Sequence, residues 1–454
     1  MLRKLHFKTK EKFLEEVNGD FLTPSSGSEL TKDARYGNLY GTDLVFIKDT
    51  GEIWTHGAFY GAMEAIDMIA MLDLETENDY KNCIDLSYVD INGNSLETQS
   101  TANCYVVHQR GLYKFPLIYG NAIKNGEDNQ SAYVANIPEI PEGEEPETPI
   151  TESEFVNYMG VKITSPYIEE DLADMNEKLT VENAFLIWSD ESNVISDVEL
   201  IDGEYCRYIQ FKLRNVPKNG ANAIIGIRGK DEDIIWSWHI WIFPEQLEDI
   251  HVINNSGEFD VLNYNLGTKF DGSKEQLICN YYQWGRKDPF MRDAFWNRNM
   301  TTVLYDESGN IIEFRTNSRP LETYFHYIIY PNVMWDPVGT YMQKCTNYWN
   351  SNKTIYDPCP IGYRVPTKGF YNGFVDEYFD EESAEIKDKW NIIKESFAWG
   401  CKFKINNDDL QGMPFKNGNY LYLDSENYLH IQGWDIWWNN SQLSDGYIRP
   451  LKDN

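Results

Sequence analysis

A mainly β protein with an α+β C-terminal part is the fold class that the sequence predicts, and three observations lead to it. Residues 84–243 contain many short apolar runs separated by Gly, Asn and Asp turns, the pattern of a β-sandwich. Aromatic residues make up 15 % of the chain, which is enough to fill broad aromatic cores. A chain of 454 residues is too long to fold around a single hydrophobic core, which indicates roughly two or three domains.

We expect three parts along the chain. Residues 1–80 are predicted to form an N-terminal segment that anchors and oligomerises the protein. Residues 81–250 are predicted to form an Ig-like β-sandwich, and residues 251–454 an α+β domain. An acidic insertion near residues 137–180 is predicted to interrupt the β-sandwich, because its Pro-, Gly- and Glu-rich run cannot bury surface. The alternative is a domain boundary at this place.

The first part contains a predicted β-hairpin. In residues 41–57, two β-rich runs flank Asp49, Thr50 and Gly51, which suit a three-residue turn. A short helix is predicted over residues 62–72. The apolar side chains here are too large for so short a segment to bury alone, so we expect them to join copies of the chain into a homo-oligomer, with a trimer as the expected state. These side chains are Leu44, Phe46, Ile53, Trp54 and Phe59.

The β-sandwich is predicted from a series of β-rich runs. One of them, residues 234–243, alternates so that Ser237, His239 and Trp241 share a face. We interpret His239 as a hydrogen-bonded structural residue, because no partner ligands accompany it. Residues 169–179 have the pattern of a helix. The other predicted strands are residues 84–89, 104–108, 113–119, 185–188, 198–201, 208–213 and 223–228.

The C-terminal part is predicted to hold one long amphipathic helix, residues 374–397, among short β pieces and loops. Acidic side chains crowd residues 376–385. We interpret them as a solvated face at the start of the helix, and the alternative is a carboxylate pair for glycoside hydrolysis. The turn formers of residues 357–362 predict a bend at Gly362 before a short strand. Arg286 is a candidate for a buried pair with a carboxylate.

Charge and motif content exclude several function classes. The net charge of −32 attracts neither nucleic-acid phosphates nor anionic lipids, so we expect no nucleic-acid partner. The sequence has no apolar stretch of membrane-helix length, so we expect no insertion into a membrane. It has no N-terminal apolar run either, so we expect the protein to be made in a cytoplasm. The seven cysteines form no CxxC pair and are expected to be reduced thiols. No catalytic motif stands out, so we expect no enzyme activity, no cofactor and no metal.

An aromatic cluster near the C terminus is the candidate binding site. It places three indoles beside acidic and amide side chains, and sugars stack on rings while polar groups take their hydroxyls. The alternative is that the indoles are core. Because neighbours in an extended chain face opposite ways, only one of Trp437 and Trp438 can be the platform. The candidate residues are Trp434, Asp435, Trp437, Trp438, Asn439 and Asn440.

Several stretches of the first two parts resemble known families. Residues 40–57 look like the opening segment of fibre and tail-associated proteins of crAss-like phages. A β-sandwich module of fimbrillin-like and surface proteins is the family that the middle part resembles. The stretches that carry this second resemblance are residues 101–107, 111–115, 222–227 and 234–241.

The C-terminal part resembles the major paralogous domain of Fibrobacter type. The resemblance is carried by residues 265–267, 282–290, 356–367 and 447–453. That family is similar in fold to C-type lectins and formylglycine-generating enzymes, so the resemblance implies a C-type-lectin-like fold for residues 251–454. The calcium-ligand triplets of the lectins and the paired active-site cysteines of the enzymes are absent here. The resemblance therefore transfers the fold and not the chemistry.

Together these resemblances imply a structural virion protein, a fibre or fibre-like appendage on the head or tail of a tailed phage. Such a protein would be held on the particle by capsid or tail proteins and would display its modules to a host-surface glycan or protein. Its expected location is the virion. The alternative from another class is a secreted Bacteroidetes adhesin or pilus-tip subunit, and the third reading is a glycan depolymerase.

Overall fold

Strands are the main regular structure among the residues that the structure describes, which confirms the mainly β class that the sequence predicts. Among the described residues, 40 % lie in strands and 7 % in helices. The computed structural model divides into two units, Met1–Cys83 and Ile84–Asn454. Apart from strands within residues 34–56 and 419–446, it describes residues 77–134, 155–173, 177–254, 257–271, 273–278, 280–283, 285–291, 303–312, 315–320, 325–336, 348–349, 352–366, 370 and 448–453.

The first unit contains an antiparallel sheet of β1 (Ala34–Leu39), β2 (Thr42–Ile47) and β3 (Glu52–His56). The pairing of β2 with β3 confirms the predicted hairpin. The last pair joins Ile47 to Glu52, so residues 48–51 connect the strands and the connection is one residue longer than the predicted turn. Strand β1, which pairs with β2, is not predicted by the sequence.

The apolar residues predicted to join copies of the chain fall partly on this sheet. Leu44 and Phe46 lie on β2, and Ile53 and Trp54 lie on β3. Phe59 and the helix predicted over residues 62–72 lie outside the described residues. Oligomerisation through this segment stays a prediction.

The strands that follow are short and come in two groups. Up to residue 254 they are β4 (Cys83–Asp85), β5 (Cys104–Val107), β6 (Gly111–Pro116), β7 (Ile123–Lys124), β8 (Glu127–Asp128), β9 (Asn183–Ser189), β10 (Ile195–Ile201), β11 (Tyr208–Leu213), β12 (Ala221–Arg228), β13 (Ile234–Ile242) and β14 (Asp249–Asn254). Beyond it they are β15 (Gly257–Leu262), β16 (Lys269–Asp271), β17 (Ser273–Ile278), β18 (Asn280–Gln283), β19 (Phe290–Met291), β20 (Leu304–Tyr305), β21 (Ile311–Ile312), β22 (Arg315–Pro320), β23 (Val333–Asp336), β24 (Tyr363–Arg364), β25 (Asn419–Leu423), β26 (Tyr428–Gln432), β27 (Asp435–Asn439), β28 (Asp445–Gly446) and β29 (Leu451–Lys452).

Two sheets of the second unit pack against each other. The front sheet has the strand order β10-β11-β6-β4, and the central sheet has the order β21-β20-β9-β12-β13-β5. The ring of Phe115 on β6 lies 5.1 Å, between centroids, from the rings of both Tyr105 on β5 and Trp238 on β13. All three side chains are buried. Aromatic rings therefore fill the space between the sheets, as the composition predicts.

The central sheet is covered on its second face as well. Alternation along β13 turns Ser237 and Trp241 away from the front sheet. Ser237 Oγ donates to Asp288 Oδ1 (2.9 Å), and Trp241 Nε1 donates to the Thr268 carbonyl (2.8 Å). Buried residues from beyond position 250 thus belong to the same hydrophobic core as the two sheets. The domain boundary near residue 250 stays a prediction.

The C-terminal half adds further small sheets. The sheet β14-β15-β29-β24 joins strands that are distant in sequence, since Val261 pairs with Leu451 and Tyr363 with Lys452. One short helix, α1 (Phe325–Ile329), is described there. The long helix predicted over residues 374–397, with its acidic start, lies outside the described residues. No helix in the described ranges combines the length and apolar character needed to cross a membrane.

The helix predicted over residues 169–179 is wrong. A 3₁₀ turn spans Ile168–Glu170, after which the chain turns back on itself. The Asp171 carboxylate accepts hydrogen bonds from Tyr119 Oη (2.9 Å) and the Thr164 amide (3.0 Å), while its carbonyl accepts from the Leu179 amide (2.9 Å). These buried contacts replace the i to i+4 bonds of a helix.

The strand predicted at residues 84–89 is also shorter than expected. Strand β4 ends at Asp85, and a 3₁₀ turn covers Leu86–Tyr88. The Asp85 carboxylate ends the strand because it accepts from both the amide (3.1 Å) and the hydroxyl (2.6 Å) of Ser87. Hydrogen bonds from a short acidic side chain to the backbone just after it compete with the hydrogen bonds of strand pairing.

Candidate functional site

The predicted sugar site falls largely on one strand. Strand β27 carries Asp435, Trp437, Trp438 and Asn439, and it pairs antiparallel with β26. Both indoles therefore sit at successive positions of an extended chain, which is the premise of the expectation that they face opposite ways. Trp434 and Asn440 lie outside the described residues, and nothing in the structure describes the side chains of β27. The binding role of these residues stays a prediction.

A different aromatic cluster is exposed on the second unit. Four tyrosines, which we call the tyrosine surface, meet at one end of the front sheet: Tyr88, Tyr167, Tyr205 and Tyr208. Tyr88 ends the 3₁₀ turn after β4, Tyr205 lies in the connection from β10 to β11, and Tyr208 begins β11. Tyr205 is 80 % exposed and Tyr88 is 41 % exposed, whereas Tyr167 and Tyr208 are half-buried.

Backbone and side-chain contacts of Arg207 hold the turn that carries Tyr205. The Leu117 amide donates to the carbonyl of Arg207 (2.9 Å), and Arg207 Nε donates to Glu169 Oε2 (3.0 Å). Gly203 lies close to the ring of Tyr208, so that a Cβ added at Gly203 would sit 2.5 Å from two ring carbons. Only glycine therefore lets the turn fold this closely over the tyrosine.

The phenols of the cluster influence one another electrostatically. A hydrogen bond to Glu204 and its charge raise the pKa of Tyr205, and the phenols of Tyr88 and Tyr167 add to the effect. Burial raises the pKa of Tyr208 to about 12, with a further contribution from the charge of Asp85. The hydroxyls of Tyr205 and Tyr208 are therefore neutral at physiological pH, and each can both donate and accept a hydrogen bond.

A cation and amide complete the rim of the tyrosine surface. Lys114 Nζ lies 4.5 Å from the ring centroid of Tyr208 and 3.9 Å from Asp85 Oδ2. Gln99 Nε2 donates to Ser87 Oγ (3.1 Å), and the same side chain bonds to Tyr208. Aromatic faces next to neutral donors and acceptors can bind a ligand that has both apolar and polar sides.

The other polar clusters of the second unit are buried and tie segments together. Lys287 Nζ donates to the carbonyl of Ser237 (2.9 Å) and to Asp288 Oδ2 (2.8 Å), and it lies 4.5 Å from the centroid of the Trp236 ring. Burial lowers the pKa of Lys287 to about 8, which the charge of Asp288 only partly opposes. All these groups are buried. The cluster therefore joins Lys287 and Asp288 to the central sheet.

A second buried cluster surrounds His239 and confirms its predicted structural role. His239 Nε2 hydrogen-bonds to Asn222 Oδ1 (2.9 Å). The Asn222 amide group donates in turn to Asp190 Oδ2 (3.2 Å), whose carboxylate also pairs with Lys269 (3.2 Å). Burial lowers the pKa of His239 to about 3, so the imidazole is neutral at physiological pH.

A third cluster explains the turn at residues 357–362. The Asp357 carboxylate accepts from the amides of Cys359 and Val365, both at 2.8 Å. Gly362 has φ of +80°, and strand β24 follows it, which confirms the predicted bend and short strand. Burial raises the pKa of Asp357 despite these two bonds.

Arg286 is buried, as its predicted pairing requires. Its guanidinium donates to the carbonyls of Pro331 (2.6 Å) and Val333 (2.9 Å) and to the Gln283 side chain (3.1 Å). A carboxylate partner for Arg286 stays a prediction. Within the described ranges, no group of three or more His, Cys, Asp or Glu side chains is placed to hold a metal ion. Cys104, Cys206 and Cys359 are free thiols.

Comparisons of the chain with protein-family models, with curated proteins and with solved structures found no match. Sequence reasoning missed the tyrosine surface because its members are spread from residue 88 to residue 208. The one local signal in the sequence is the presence of two large aromatic residues, Tyr205 and Tyr208, close to Gly203 in an otherwise polar turn.

Proposed function

We propose that the chain is a structural virion protein, a fibre or fibre-like appendage of a tailed phage that displays modules for attachment to a host surface. The observation that carries the proposal is the exposed tyrosine surface on a rigid β scaffold. Tyrosine supplies large contact area at a small entropic cost and is common in binding surfaces. The buried charged clusters described above serve the scaffold, which supports binding rather than catalysis.

The proposal includes a finer account of the fold. Residues 81–250 form an Ig-like β-sandwich, and residues 251–454 form a C-type-lectin-like domain. The aromatic contact of Phe115 with Trp238 between two sheets supports the first assignment. The turn at residues 357–362, with its strand β24, supports the second, because it carries the resemblance stated above. Both folds serve many binding proteins, so they suit a display function.

Two measurements test the proposal. Antibodies against the full chain are expected to label purified phage particles, and fluorescent full-length protein is expected to bind Bacteroidetes cells saturably. Label on bacterial surfaces together with unlabelled particles would favour the secreted adhesin instead. Release of oligosaccharides from capsule by the purified protein would favour the depolymerase. The proposal is contradicted if the antibodies label no phage particle and the fluorescent protein binds no cell.

We predict that the protein is a trimer joined through residues 1–80. The reason is the apolar content of β2 and β3, which a three-stranded sheet cannot bury alone. Multi-angle light scattering of the full chain should give about three times the chain mass of 53.0 kDa. The chain without residues 1–80 should give a single chain mass. A full-length monomer at micromolar concentration, or a truncated chain that stays trimeric, contradicts the prediction.

A further inference from the structure

Tyr205 is the most exposed large apolar side chain among those that the structure describes. It is 80 % exposed, and it does not stand alone, because Tyr88 beside it is 41 % exposed. Exposed single apolar residues are ordinary on protein surfaces, whereas clustered aromatic rings mark sites of contact. The neighbouring Tyr167 and Tyr208 are half-buried and support the two exposed rings.

The rim of the cluster presents hydrogen-bonding groups of the kind that hydroxyl ligands need. Glu204 is exposed and precedes Tyr205 in the chain, so a carboxylate accompanies the exposed ring. Gln99 brings a side-chain amide, and the neutral phenols bring hydroxyls. An aromatic face with a carboxylate and an amide at its edge matches a sugar ring, which has an apolar CH face and a rim of hydroxyls.

The charge around the cluster selects against anionic ligands. Asp85 and Glu204 lie at its rim, Asp202 is two residues from Glu204, and the whole chain carries a net charge of −32. The cation at the rim, Lys114, is within 3.9 Å of Asp85 and over the ring of Tyr208. Sulfated or sialylated sugars would therefore meet repulsion, while uncharged sugars would not.

From these observations we propose that the tyrosine surface is a binding site for an uncharged saccharide, with Tyr205 as the stacking ring and Glu204 as a hydroxyl acceptor. The inference rests on the proposed attachment function and gives it a site and a ligand class. The site is preformed, because the turn that bears Tyr205 is held by the Arg207 contacts with Leu117 and Glu169. Preformed sites lose less conformational entropy on binding.

The test measures binding of the full chain to immobilised oligosaccharides in pairs that share a backbone: oligomannose, oligogalactose and oligoglucose, each uncharged and sulfated. The wild-type chain is expected to bind at least one uncharged member and to bind its sulfated partner more weakly. Tyr205→Ala should weaken that binding roughly tenfold or more, as for a hot-spot aromatic residue. Tyr205→Phe should retain most of it, because the ring face stays. Tyr330→Ala is the matched control, since Tyr330 is also exposed, at 44 %, and should bind as wild type.

Folding of each variant is checked by its thermal melt, and an exposed position should leave the melt unchanged. The inference is overturned if wild type and Tyr205→Ala bind the sugars equally well, or if the chain prefers the sulfated sugars. It is also overturned if sugar binding is lost in Trp437→Ala or Trp438→Ala instead of in Tyr205→Ala. The same holds if the surface binds basic peptides instead of sugars. If Tyr205→Ala still binds host cells like wild type, the attachment function stands and only this site fails. If the wild-type chain binds no cell at all, the attachment function itself fails.

Discussion

Replacing Trp238 by alanine is expected to lower the free energy of unfolding of the second unit by about 3–5 kcal/mol. Trp238 is fully buried and lies 5.1 Å, between ring centroids, from Phe115 of the opposing sheet. Removing the indole leaves a cavity between the two sheets that the surrounding aromatic rings cannot fill by small shifts. Urea unfolding followed by far-ultraviolet circular dichroism measures the loss.

Phenylalanine substitutions provide matched controls. The indole N–H of Trp238 has no partner among the described residues, so Trp238→Phe removes an unsatisfied donor and should cost less, about 1–2 kcal/mol. Trp236 Nε1 instead donates to Asn103 Oδ1 (3.3 Å). Trp236→Phe should therefore cost about 1 kcal/mol more than Trp238→Phe, because the Asn103 oxygen loses its donor. A Trp238→Ala protein as stable as wild type would show that this ring is not part of the core between the sheets.

Acid is expected to destabilise the second unit through His239. The pKa of His239 is lowered from 6.5 to about 3 in the fold, because burial disfavours the charged imidazolium. Above pH 6.5 the imidazole is neutral in both states. Between pH 6.5 and 3 the unfolded chain binds a proton that the folded chain does not, so stability falls as the pH falls. The total loss from this one group is about 4–5 kcal/mol.

His239→Gln isolates this contribution from that of the many carboxylates. Asn222 donates its amide hydrogens to Asp190 and to the Gly267 carbonyl (3.0 Å), so its Oδ1 accepts from His239, and a glutamine amide can donate in the same way without titrating. The stability difference between wild type and His239→Gln, measured at pH 7.5, 5.5 and 4.5, should shift steadily against wild type as the pH falls. Carboxylates titrate in both proteins and cancel. A difference that is independent of pH contradicts the prediction.

Much of the strand pattern is predictable from local sequence. Strand β11 spans the predicted residues 208–213 and alternates half-buried with buried residues, and β13, which is apolar except for Ser237 and His239, is buried on both faces. The helix expected over residues 169–179 fails for a reason that is not local. Tyr119, 52 residues away, binds the Asp171 carboxylate and helps fix the turn, and no window of sequence around Asp171 contains that partner.

The two candidate binding sites also differ in how far local sequence predicts them. The indoles near the C terminus stand out because they are adjacent in sequence, and their β27 strand agrees with the extended chain assumed for them. The tyrosine surface cannot be read this way. Tyr88 and Tyr205 meet only because β4 and β11 flank β6 in one sheet, which is a property of topology. Exposure, which makes the cluster a candidate, is likewise decided by the fold rather than by residue type.

The asparagines that connect distant parts of the second unit have a consequence for how it folds. The Asn103 side chain donates to the Ile355 carbonyl, 252 residues away in sequence, and Asn121 donates to the Thr354 carbonyl, 233 residues away. Such pairings require the closure of very long loops before they add stability, which slows folding. Until residues 353–365 dock, these amides and the side of the Trp236 ring that packs against Tyr356 are open to solvent and to other chains. The critical interval for this protein is thus the time between synthesis of the sheets and arrival of that segment, when a chaperone would have most effect.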